Sequence, residues 1–261
     1  MNIIITGGHS GMGFELSKKL LSEGHQIGLI VRSEKRKAET QQLFSDKDEL
    51  KIFVADLSNR NEIISVAKEI QSDFSHLDGI FNNAGVLLDK LYFSEYGNEL
   101  QLEINAISPY LLTKEMLPLL EKSKNPFVVS TATDGLSNKK SIDIPAFKKP
   151  QKFIKLMGSY MDSKLTMVTL MNHLSKQHKS IRFVSVNPGA IKTKMTSGDG
   201  MPFWLKPIRN LFFKSPEQGA ENLYNGAFNS SIKGSGIYVS SGKVKDMKVM
   251  ITKDQVEELV K

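Results

Sequence analysis

The chain has 261 residues, of which 40% are hydrophobic and 24% charged, and this ordinary globular composition excludes a disordered or fibrous protein. Lys and Arg exceed Asp and Glu by seven, a moderately basic balance that suits phosphate-bearing ligands, nucleic acid or an anionic membrane. The absence of cysteine excludes disulfides, a thiolate nucleophile and thiolate metal sites.

Short apolar runs rich in Ile, Val and Phe alternate with amphipathic helical stretches, a pattern typical of βαβ units. Strands are predicted at residues 2–6, 26–31, 51–55, 78–82, 126–131, 181–187 and 236–240. Helices are predicted at residues 11–23, 33–47, 59–74, 95–123, 156–179 and 216–229, with Ser58 and Ser215 as N-caps and Pro216 at a first helical position. The alternation predicts an α/β fold with a doubly wound, parallel, seven-stranded sheet and helices on both faces.

No linker or internal repeat divides the chain, so we expect a single domain over residues 1–261. Two stretches break the alternation: a lysine-rich insertion near 136–155 and an apolar stretch near 193–215. Long irregular insertions in compact domains are often functional lids. The N-terminus enters an apolar strand directly, and no apolar run approaches the roughly 18 residues that span a bilayer. We therefore expect a cytoplasmic protein without an integral membrane segment.

A glycine cluster follows the first strand and leads into the first helix. Only glycine allows the positive φ and the close backbone approach that a pyrophosphate at a helix N-terminus needs. The order of strand, glycine turn and helix predicts a Rossmann-type dinucleotide site, although a plain tight turn is the alternative. The residues of this loop predicted to bind the cofactor are Thr6, Gly7, His9, Ser10, Gly11, Met12 and Gly13.

The second strand ends at Arg32, nineteen residues after Gly13, where a dinucleotide fold meets the adenosine ribose. A guanidinium there pairs with a 2′-phosphate, so Arg32 predicts that NADP(H) is preferred over NAD(H). Ser33 is a further hydrogen-bond donor, whereas Lys35 and Arg36 fit a solvated helix face equally well. Asp56, followed by Leu57, is placed to accept from the adenine amino group, and its alternative is an ordinary turn residue.

Tyr160 and Lys164 are four residues apart in a segment of helical periodicity, so their side chains share one helix face. Free tyrosine has a pKa of about 10, and an adjacent ammonium lowers it by favouring the phenolate. Such a pair is suited to acid chemistry, although an isolated Tyr-x-x-x-Lys is more often an ordinary pair on a helix surface.

Together, these motifs resemble the short-chain dehydrogenase/reductase family over essentially the whole chain. The resemblance rests on the glycine loop, on Asn82-Asn83-Ala84-Gly85 after the fourth strand, on Asn105, on Tyr160 with Lys164, and on Asn187-Pro188-Gly189 followed by Thr193. It implies an NAD(P)-dependent enzyme that transfers hydride between the nicotinamide and a carbonyl or alcohol carbon.

The resemblance also implies a role for each matched residue. Tyr160 exchanges the proton with the substrate oxygen, and Lys164 lowers the pKa of that phenol and holds the nicotinamide ribose. Asn105 keeps a kinked helix and a bound water in place as a proton relay. Further residues implied to line the cofactor are Asn83, Ala84, Gly85, Pro188, Gly189, Ile191 and Thr193.

One position departs from the family pattern, because a serine usually follows the fifth strand and binds the substrate carbonyl. Alignment on the strand end places Thr131 there, alignment on Gly135 places Ala132 there, and a one-residue slip gives Ser130. We expect Thr131, whose hydroxyl offers the same donor and acceptor. If Ala132 occupied the position, a donor worth on the order of a hundredfold in rate would be missing.

The lysine insertion and the C-terminal motif Ser235-Gly236-Ile237-Tyr238-Val239 resemble the retinol-dehydrogenase-like and protochlorophyllide-reductase-like branches, which favour apolar substrates and NADP(H). We therefore expect an apolar carbonyl compound as the small-molecule substrate. The apolar stripe of the lid (Trp204, Leu205, Ile208, Leu211 and Phe212) fits a substrate pocket and packing onto the protein's own core or a neighbouring subunit about equally well. Shallow contact with a membrane is the third and least favoured alternative, since Lys206, Arg209 and Lys214 flank the stripe.

Two functional classes fit the sequence. The first is an NADPH-dependent reductase, and the second is an NADP(H)-binding regulatory or scaffold protein with this fold and little turnover. The sequence predicts no metal site and no nucleic-acid module. A homodimer or homotetramer is expected by resemblance to the family.

Overall fold

The protein folds around one eight-stranded sheet, seen here in a computed structural model that describes residues 1–45, 47–138, 141–202 and 212–261. The strand order is β3-β2-β1-β4-β5-β6-β7-β8. The strands are β1 (Asn2–Thr6), β2 (Gln26–Val31), β3 (Leu50–Val54), β4 (Gly79–Asn82), β5 (Phe127–Thr131), β6 (Arg182–Asn187), β7 (Ile237–Ser240) and β8 (Lys243–Lys245). The predicted α/β class is confirmed.

The prediction of seven strands was one too few. Strands β1 to β7 pair in parallel, whereas β8 pairs antiparallel with β7 through a two-residue turn at Ser241 and Gly242. Both turn residues have positive φ, +52° and +72°, which matches the twist of a tight hairpin. Strand β8 is short and fully exposed, so it has none of the apolar alternation by which a strand is recognised in sequence.

The longer predicted helices are confirmed with small shifts of their ends, except the one predicted at 95–123. The helices are α1 (Gly11–Ser22), α2 (Glu34–Phe44), α3 (Arg60–Asp73), α4 (Leu100–Leu102), α5 (Ser108–Leu120), α6 (Ile144–Lys148), α7 (Ser159–Gln177), α8 (Lys194–Ser197), α9 (Pro216–Phe228) and α10 (Lys253–Val260). A π-helical turn over Glu103–Ile107 joins α4 to α5, so the predicted helix is shorter and interrupted. Helices α6, α8 and α10 were not predicted.

Two side-chain caps test the predicted helix starts. Ser215 caps α9 in a capping box with Gln218, and Pro216 begins the helix, as predicted. The prediction of Ser58 was wrong, because Asn59 caps α3 by accepting from the backbone N–H groups of Asn61 and Glu62. Ser58 instead donates to the carboxylate of Asp56.

Alternating side chains of the parallel strands enter two hydrophobic clusters on opposite faces of the sheet. Ile4 lies in a cluster with α3, α5 and α7, whereas Ile3 and Ile5 lie in a cluster with α1 and α9. A strand buried on both faces reads as a continuous apolar run, which is why Ile3-Ile4-Ile5 marked β1. The helices on both faces leave the carboxyl ends of the strands open.

A buried ion pair fixes the π-helical turn to α3. The Arg60 guanidinium donates to both carboxylate oxygens of Glu103, at 2.7 and 3.1 Å, and the Glu103 side chain is completely buried. Asn98 donates to the same carboxylate at 2.7 Å, and Arg60 also reaches the carbonyl of Val260 in α10. The pair therefore joins α3, the π-helical turn and the C-terminal helix.

We expect Arg60→Met to destabilise the fold by about 3 to 5 kcal/mol, because it leaves the buried Glu103 carboxylate without its cation. Chemical denaturation measures the loss. The double variant Arg60→Met/Glu103→Gln removes the uncompensated charge and should recover part of it. A double variant as unstable as the sum of both single variants would contradict this account.

Candidate active site at the carboxyl edge of the sheet

A cavity of about 530 Å³ opens at the carboxyl edge of the sheet, where β1 lies between β2 and β4 and the order of the strands reverses. Parallel sheets of this topology bind ligands at such a switch point. The sequence-predicted residues that line the cavity are Gly7, His9, Ser10, Gly11, Met12, Gly13, Arg32, Ser33, Asp56, Leu57, Asn83, Ala84, Gly85, Thr131, Tyr160, Lys164, Pro188, Gly189, Ile191 and Thr193. Two others, Thr6 and Asn105, do not line the cavity, and their hydrogen bonds join its walls.

The glycine loop needs its glycines for two separate reasons. Gly7 and Gly11 have φ of +67° and +55°, which side-chain-bearing residues rarely adopt. A Cβ on Gly13 would lie 2.4 Å from the carbonyl oxygen of Gly7 and 2.5 Å from the Asn83 amide nitrogen. The loop therefore passes close to the N-terminus of α1, where backbone N–H groups favour an anion.

Thr6 and Asn83 tie the glycine loop to the end of β4. The Thr6 hydroxyl accepts from the backbone N–H groups of Asn83 and Ala84, both at 3.0 Å. The Asn83 amide donates to the carbonyls of Thr6 and Gly7, at 3.1 and 3.3 Å. These four hydrogen bonds span the switch point and set the width of the crevice.

The far end of the cavity is basic. Arg32 at the end of β2 is exposed, and its guanidinium stands 3.8 Å from the Asp56 carboxylate. Ser33 caps α2 by accepting from the backbone N–H of Arg36, and Arg36 also lines the cavity. Asp56 holds the turn into α3 through Ser58, so the turn alternative for Asp56 matches its contacts.

Tyr160, Lys164 and Thr131 meet at the other end of the cavity. Both Tyr160 and Lys164 lie on α7, as the four-residue spacing predicted, and the ammonium stands 6.0 Å from the centroid of the phenol ring. The Lys164 ammonium is buried and donates to the carbonyl oxygen of Thr131 at 2.8 Å. The helix and the end of β5 are thus joined through the lysine.

Burial opposes charge on both members of the pair. It raises the pKa of Tyr160 to about 12 and lowers the pKa of Lys164 to about 8. This differs from the expectation that the ammonium lowers the pKa of Tyr160, because the cost of desolvating a phenolate outweighs an ammonium 6.0 Å from the ring. Tyr160 therefore stays protonated near neutral pH, in the form from which it could donate a proton.

Asn105 lies in the π-helical turn and connects two walls of the site. Its amide oxygen accepts from the backbone N–H of Val86 at 2.8 Å, and its amide nitrogen donates to the Val86 carbonyl at 2.9 Å and to Ser163 at 3.0 Å. Ser163 in turn donates to the carbonyl of Tyr160 at 2.7 Å. Asn105 therefore holds the segment after β4 against α7.

The geometry separates the three candidates for the serine position. Thr131 lines the cavity, and its hydroxyl oxygen is buried without a hydrogen-bond partner among the described residues. Ser130 does not line the cavity, and its hydroxyl accepts from the Asn82 amide at 3.4 Å. Ala132 lines the cavity beside Thr131 but has no polar group. Thr131 is therefore the one of the three that both lines the cavity and carries a hydroxyl group.

The chain after β6 closes the cavity over the glycine loop. Gly189 has a φ of +91°, and its N–H donates to the Asn187 side chain. Thr193 then caps α8 in a capping box with Thr196. A Cβ on Gly11 would lie 3.3 Å from the Thr193 methyl group, so the first part of the proposed lid rests on the loop. The stripe residues from Trp204 to Leu211 lie outside the described residues.

Several cavity residues were missed by sequence reasoning. Lys194, Met195 and Thr196 directly follow Thr193, and Thr133 lies two residues after Thr131. Their positions next to predicted site residues in the sequence could have indicated that they line the cavity. Val86 and Ile104 add apolar surface.

Among the described residues, no three His, Asp or Glu side chains gather where they could hold a metal ion. Nor does any helix in the described part of the chain have the length and apolarity needed to cross a bilayer.

The donor set fits a nicotinamide dinucleotide. The loop glycines leave room where a Cβ would collide, and the N-terminus of α1 supplies N–H groups for a pyrophosphate. Three of the lining residues carry a buried polar atom without a partner among the described residues: the Thr131 hydroxyl, the Asn83 amide oxygen and the His9 Nδ1. Such atoms are costly unless a ligand or water satisfies them.

The switch-point crevice, the glycine loop and the Tyr160–Lys164 pair together define a dinucleotide-binding oxidoreductase of the α/β class. The sequence model described as short chain dehydrogenase matches residues 1–142, more than half of the chain. The chain therefore belongs to the short-chain dehydrogenase/reductase family, as its motifs indicated, and is an NAD(P)-dependent oxidoreductase.

Curated relatives agree with this assignment, and a solved structure agrees with the fold. The chain is 27% identical to retinol dehydrogenase 11 of Mus musculus over 229 residues, which cover 85% of this chain and 71% of that protein. It is 27% identical to retinol dehydrogenase 14 of Homo sapiens, with 94% and 79% covered. The structure of NADPH-bound carbonyl reductase from chicken fatty liver is similar in fold, with a TM-score of 0.73, 22% identity, and 94% and 98% covered. The expected similarity to the retinol-dehydrogenase-like branch is confirmed.

We expect Lys164→Met to be more stable than the native chain at pH 7, by up to about 3 kcal/mol, because the native fold buries an ammonium whose pKa falls from 10.5 to about 8. Below pH 8 the lysine is charged in both the folded and unfolded states, so the full penalty is present. Between pH 8 and 10.5 the folded state releases its proton and the penalty disappears. Denaturation from pH 7 to 10.5 should show the two stabilities converging, and a constant difference would contradict the burial argument.

Proposed function

We propose that the chain is an NADP(H)-dependent reductase of a carbonyl group in an apolar substrate, with Tyr160 as the proton donor and acceptor. The observation that carries the proposal is the meeting of Tyr160, Lys164 and the unpartnered Thr131 hydroxyl at one end of a cavity whose other end is basic. A hydroxyl buried without a partner is costly, and a substrate carbonyl oxygen is the acceptor that would satisfy it.

When bound, the nicotinamide supplies or accepts the hydride, and this chain's residues manage the proton. The Thr131 hydroxyl donates to the substrate oxygen and so stabilises the negative charge that develops there. Tyr160, kept protonated by burial, donates its proton to the same oxygen.

Lys164 and Asn105 support this transfer. The Lys164 ammonium, held by the Thr131 carbonyl, stabilises the phenolate that Tyr160 becomes. Because the pKa of Lys164 is lowered to about 8, its own proton is easily exchanged near neutral pH. Asn105 fixes the backbone of α7 through Ser163, and so positions the phenol.

The proposed cofactor residues divide the cavity between them. The loop from Thr6 to Gly13, with Asn83, Ala84 and Gly85, surrounds the pyrophosphate and the ribose next to it. Pro188, Gly189, Ile191 and Thr193 lie on the side of the nicotinamide, and Asp56 and Leu57 on the side of the adenine.

The proposed preference for NADP(H) rests on Arg32 and Arg36, which both line the far end of the cavity. Arg36 is already paired with Glu39 at 2.6 Å, whereas the contact between Arg32 and Asp56 is longer, at 3.8 Å. Arg32 is therefore the guanidinium that is more readily turned toward a 2′-phosphate.

The proposed apolar substrate is supported by the walls near Tyr160. Val86, Ile104, Ala132 and Met195, all apolar residues, line the same cavity as Tyr160. Such walls with few polar groups suit a ligand with an apolar body. We further propose that residues 1–261 form one catalytic domain, with the lysine insertion near 136–155 and the lid near 193–215 framing the substrate. The homodimer or homotetramer and the cytoplasmic location stay predictions.

We expect Tyr160→Phe to remove most turnover, by a factor of roughly 100 to 10,000, while NADPH binding changes little, because only the proton donor is lost. Oxidation of NADPH with a panel of apolar ketones and aldehydes measures turnover, and fluorescence titration measures binding. Thr131→Val in the same assay removes the second hydroxyl at nearly constant volume and should lower kcat on the order of a hundredfold.

Unchanged turnover in Tyr160→Phe would overturn its catalytic role. Tight NADPH binding by the native chain with no turnover across the panel would instead favour the regulatory or scaffold function.

Replacing Arg32 tests the choice of nucleotide. Arg32→Met should weaken NADPH binding by about 1 to 3 kcal/mol, the worth of a charge-assisted hydrogen bond, and leave NADH binding nearly unchanged. Lys35→Met is the matched control, because Lys35 is exposed nearby but does not line the cavity. An equal loss for both nucleotides, or the same loss in the control, would contradict the assignment.

A further inference from the structure

Lys194 is a cation in the cavity that sequence reasoning did not assign. It begins α8, directly after Thr193, and it lines the cavity together with the glycine loop. The contact between Thr193 and Gly11 places this short helix over the start of α1. Among the residues that the structure describes, Lys194 takes part in a hydrogen bond through its backbone carbonyl, which accepts from the Ser197 hydroxyl at 3.0 Å, and its ammonium has no hydrogen-bond or ion-pair partner.

Lys194 is also close enough to His9 to affect the pKa of that imidazole. His9 is part of the glycine loop, and its pKa is lowered by burial and by two cations, Arg36 from α2 and Lys194 from α8, against the opposing charge of Glu39. The His9 Nδ1 is buried and has no partner among the described residues. Arg36 on α2 and Lys194 on α8 therefore both act on the glycine loop, and the positive charge of each lowers the pKa of His9.

The two cations are not equivalent. Arg36 belongs to the end of the cavity formed by Arg32 and Ser33, and Glu39 already balances its charge. Lys194 instead directly follows Thr193, whose methyl group lies next to Gly11 at the N-terminus of α1, where N–H groups suit a pyrophosphate. A cation there would face the phosphates that both nicotinamide dinucleotides share.

We propose that Lys194 is a cofactor-binding residue that binds the pyrophosphate of the dinucleotide from the side of α8, opposite the N-terminus of α1. This inference rests on the proposed function, because it assumes a nicotinamide dinucleotide in the cavity. It assigns the discrimination between NADP(H) and NAD(H) to Arg32 and the affinity common to both to Lys194. Because Lys194 belongs to α8, the bound cofactor would contact this short helix and stabilise it.

The experiment measures the affinities of Lys194→Met for NADPH and NADH by fluorescence titration. Both should weaken by roughly tenfold, because one charge-assisted contact to a shared group is lost. Lys194→Arg should restore most of the affinity. Lys192→Met is the matched control, because Lys192 lies two residues earlier, outside the cavity lining, and should bind both nucleotides as the native chain does.

A second readout does not depend on the cofactor. Removal of the Lys194 charge should raise the pKa of His9, which an NMR titration of its ring proton follows, and Lys192→Met should not. An unchanged affinity for both nucleotides, or a loss confined to NADPH, overturns the inference and leaves the proposed function standing. Failure of the native chain to bind either nucleotide overturns both.

Discussion

Four hydrogen bonds between the end of β1 and the end of β4 hold the site together. Thr6 accepts two backbone N–H groups of the segment after β4, and the Asn83 amide returns two bonds to the carbonyls of the glycine loop. The two strands pair directly up to Ile5 and Phe81, but the chain after β1 leads to a helix on one face of the sheet and the chain after β4 to a helix on the other, so the two loops separate at this point. The crevice, the path of the glycine loop and the position of α1 all depend on this tie.

The opposite end of the site depends on burial. Lys164 is an ammonium in a desolvated position, and the interaction that the structure gives it is a hydrogen bond to the carbonyl of Thr131. The same desolvation keeps Tyr160 protonated. The buried ammonium lowers the stability of the fold, and the proposed role of Lys164 in proton transfer explains why a lysine is present beside Tyr160. Asn105 adds rigidity by joining Val86 to Ser163 from within a π-helical turn, a feature often found at functional sites.

Basic side chains bind the C-terminal helix α10 and the segment near Asp199 to the rest of the protein. Arg60 and Lys148 donate to carbonyls near the end of α10, and Lys155 donates to the carbonyl of Asp199 near the lid. The lysines of the insertion are therefore in part structural contacts. This explains why composition alone could not assign the basic balance of the chain to a ligand.

The sequence by itself determined the strands of the parallel sheet, the glycine loop and the pair on α7, because each depends on a local period or on glycine chemistry. Buried strands need continuous apolar runs, and residues four apart share a helix face wherever the helix packs. Ser215 was likewise recognisable as a cap, because its capping box involves only neighbouring residues. These signals located both ends of the cavity before its walls were known.

The tertiary structure alone decided what depends on distant neighbours. Strand β8 exists because β7 offers it an edge, and Asn59 rather than Ser58 caps α3 because Ser58 binds Asp56. The choice among Ser130, Thr131 and Ala132 required knowing which of these residues line the cavity and which hydroxyl already has a partner. The pKa of Tyr160 was predicted in the wrong direction, because the sequence shows the charge beside the phenol but not the burial that outweighs it. The sequence did not indicate Lys194 as a site residue, because the contact of Thr193, at the start of α8, with the glycine loop joins residues more than 180 positions apart.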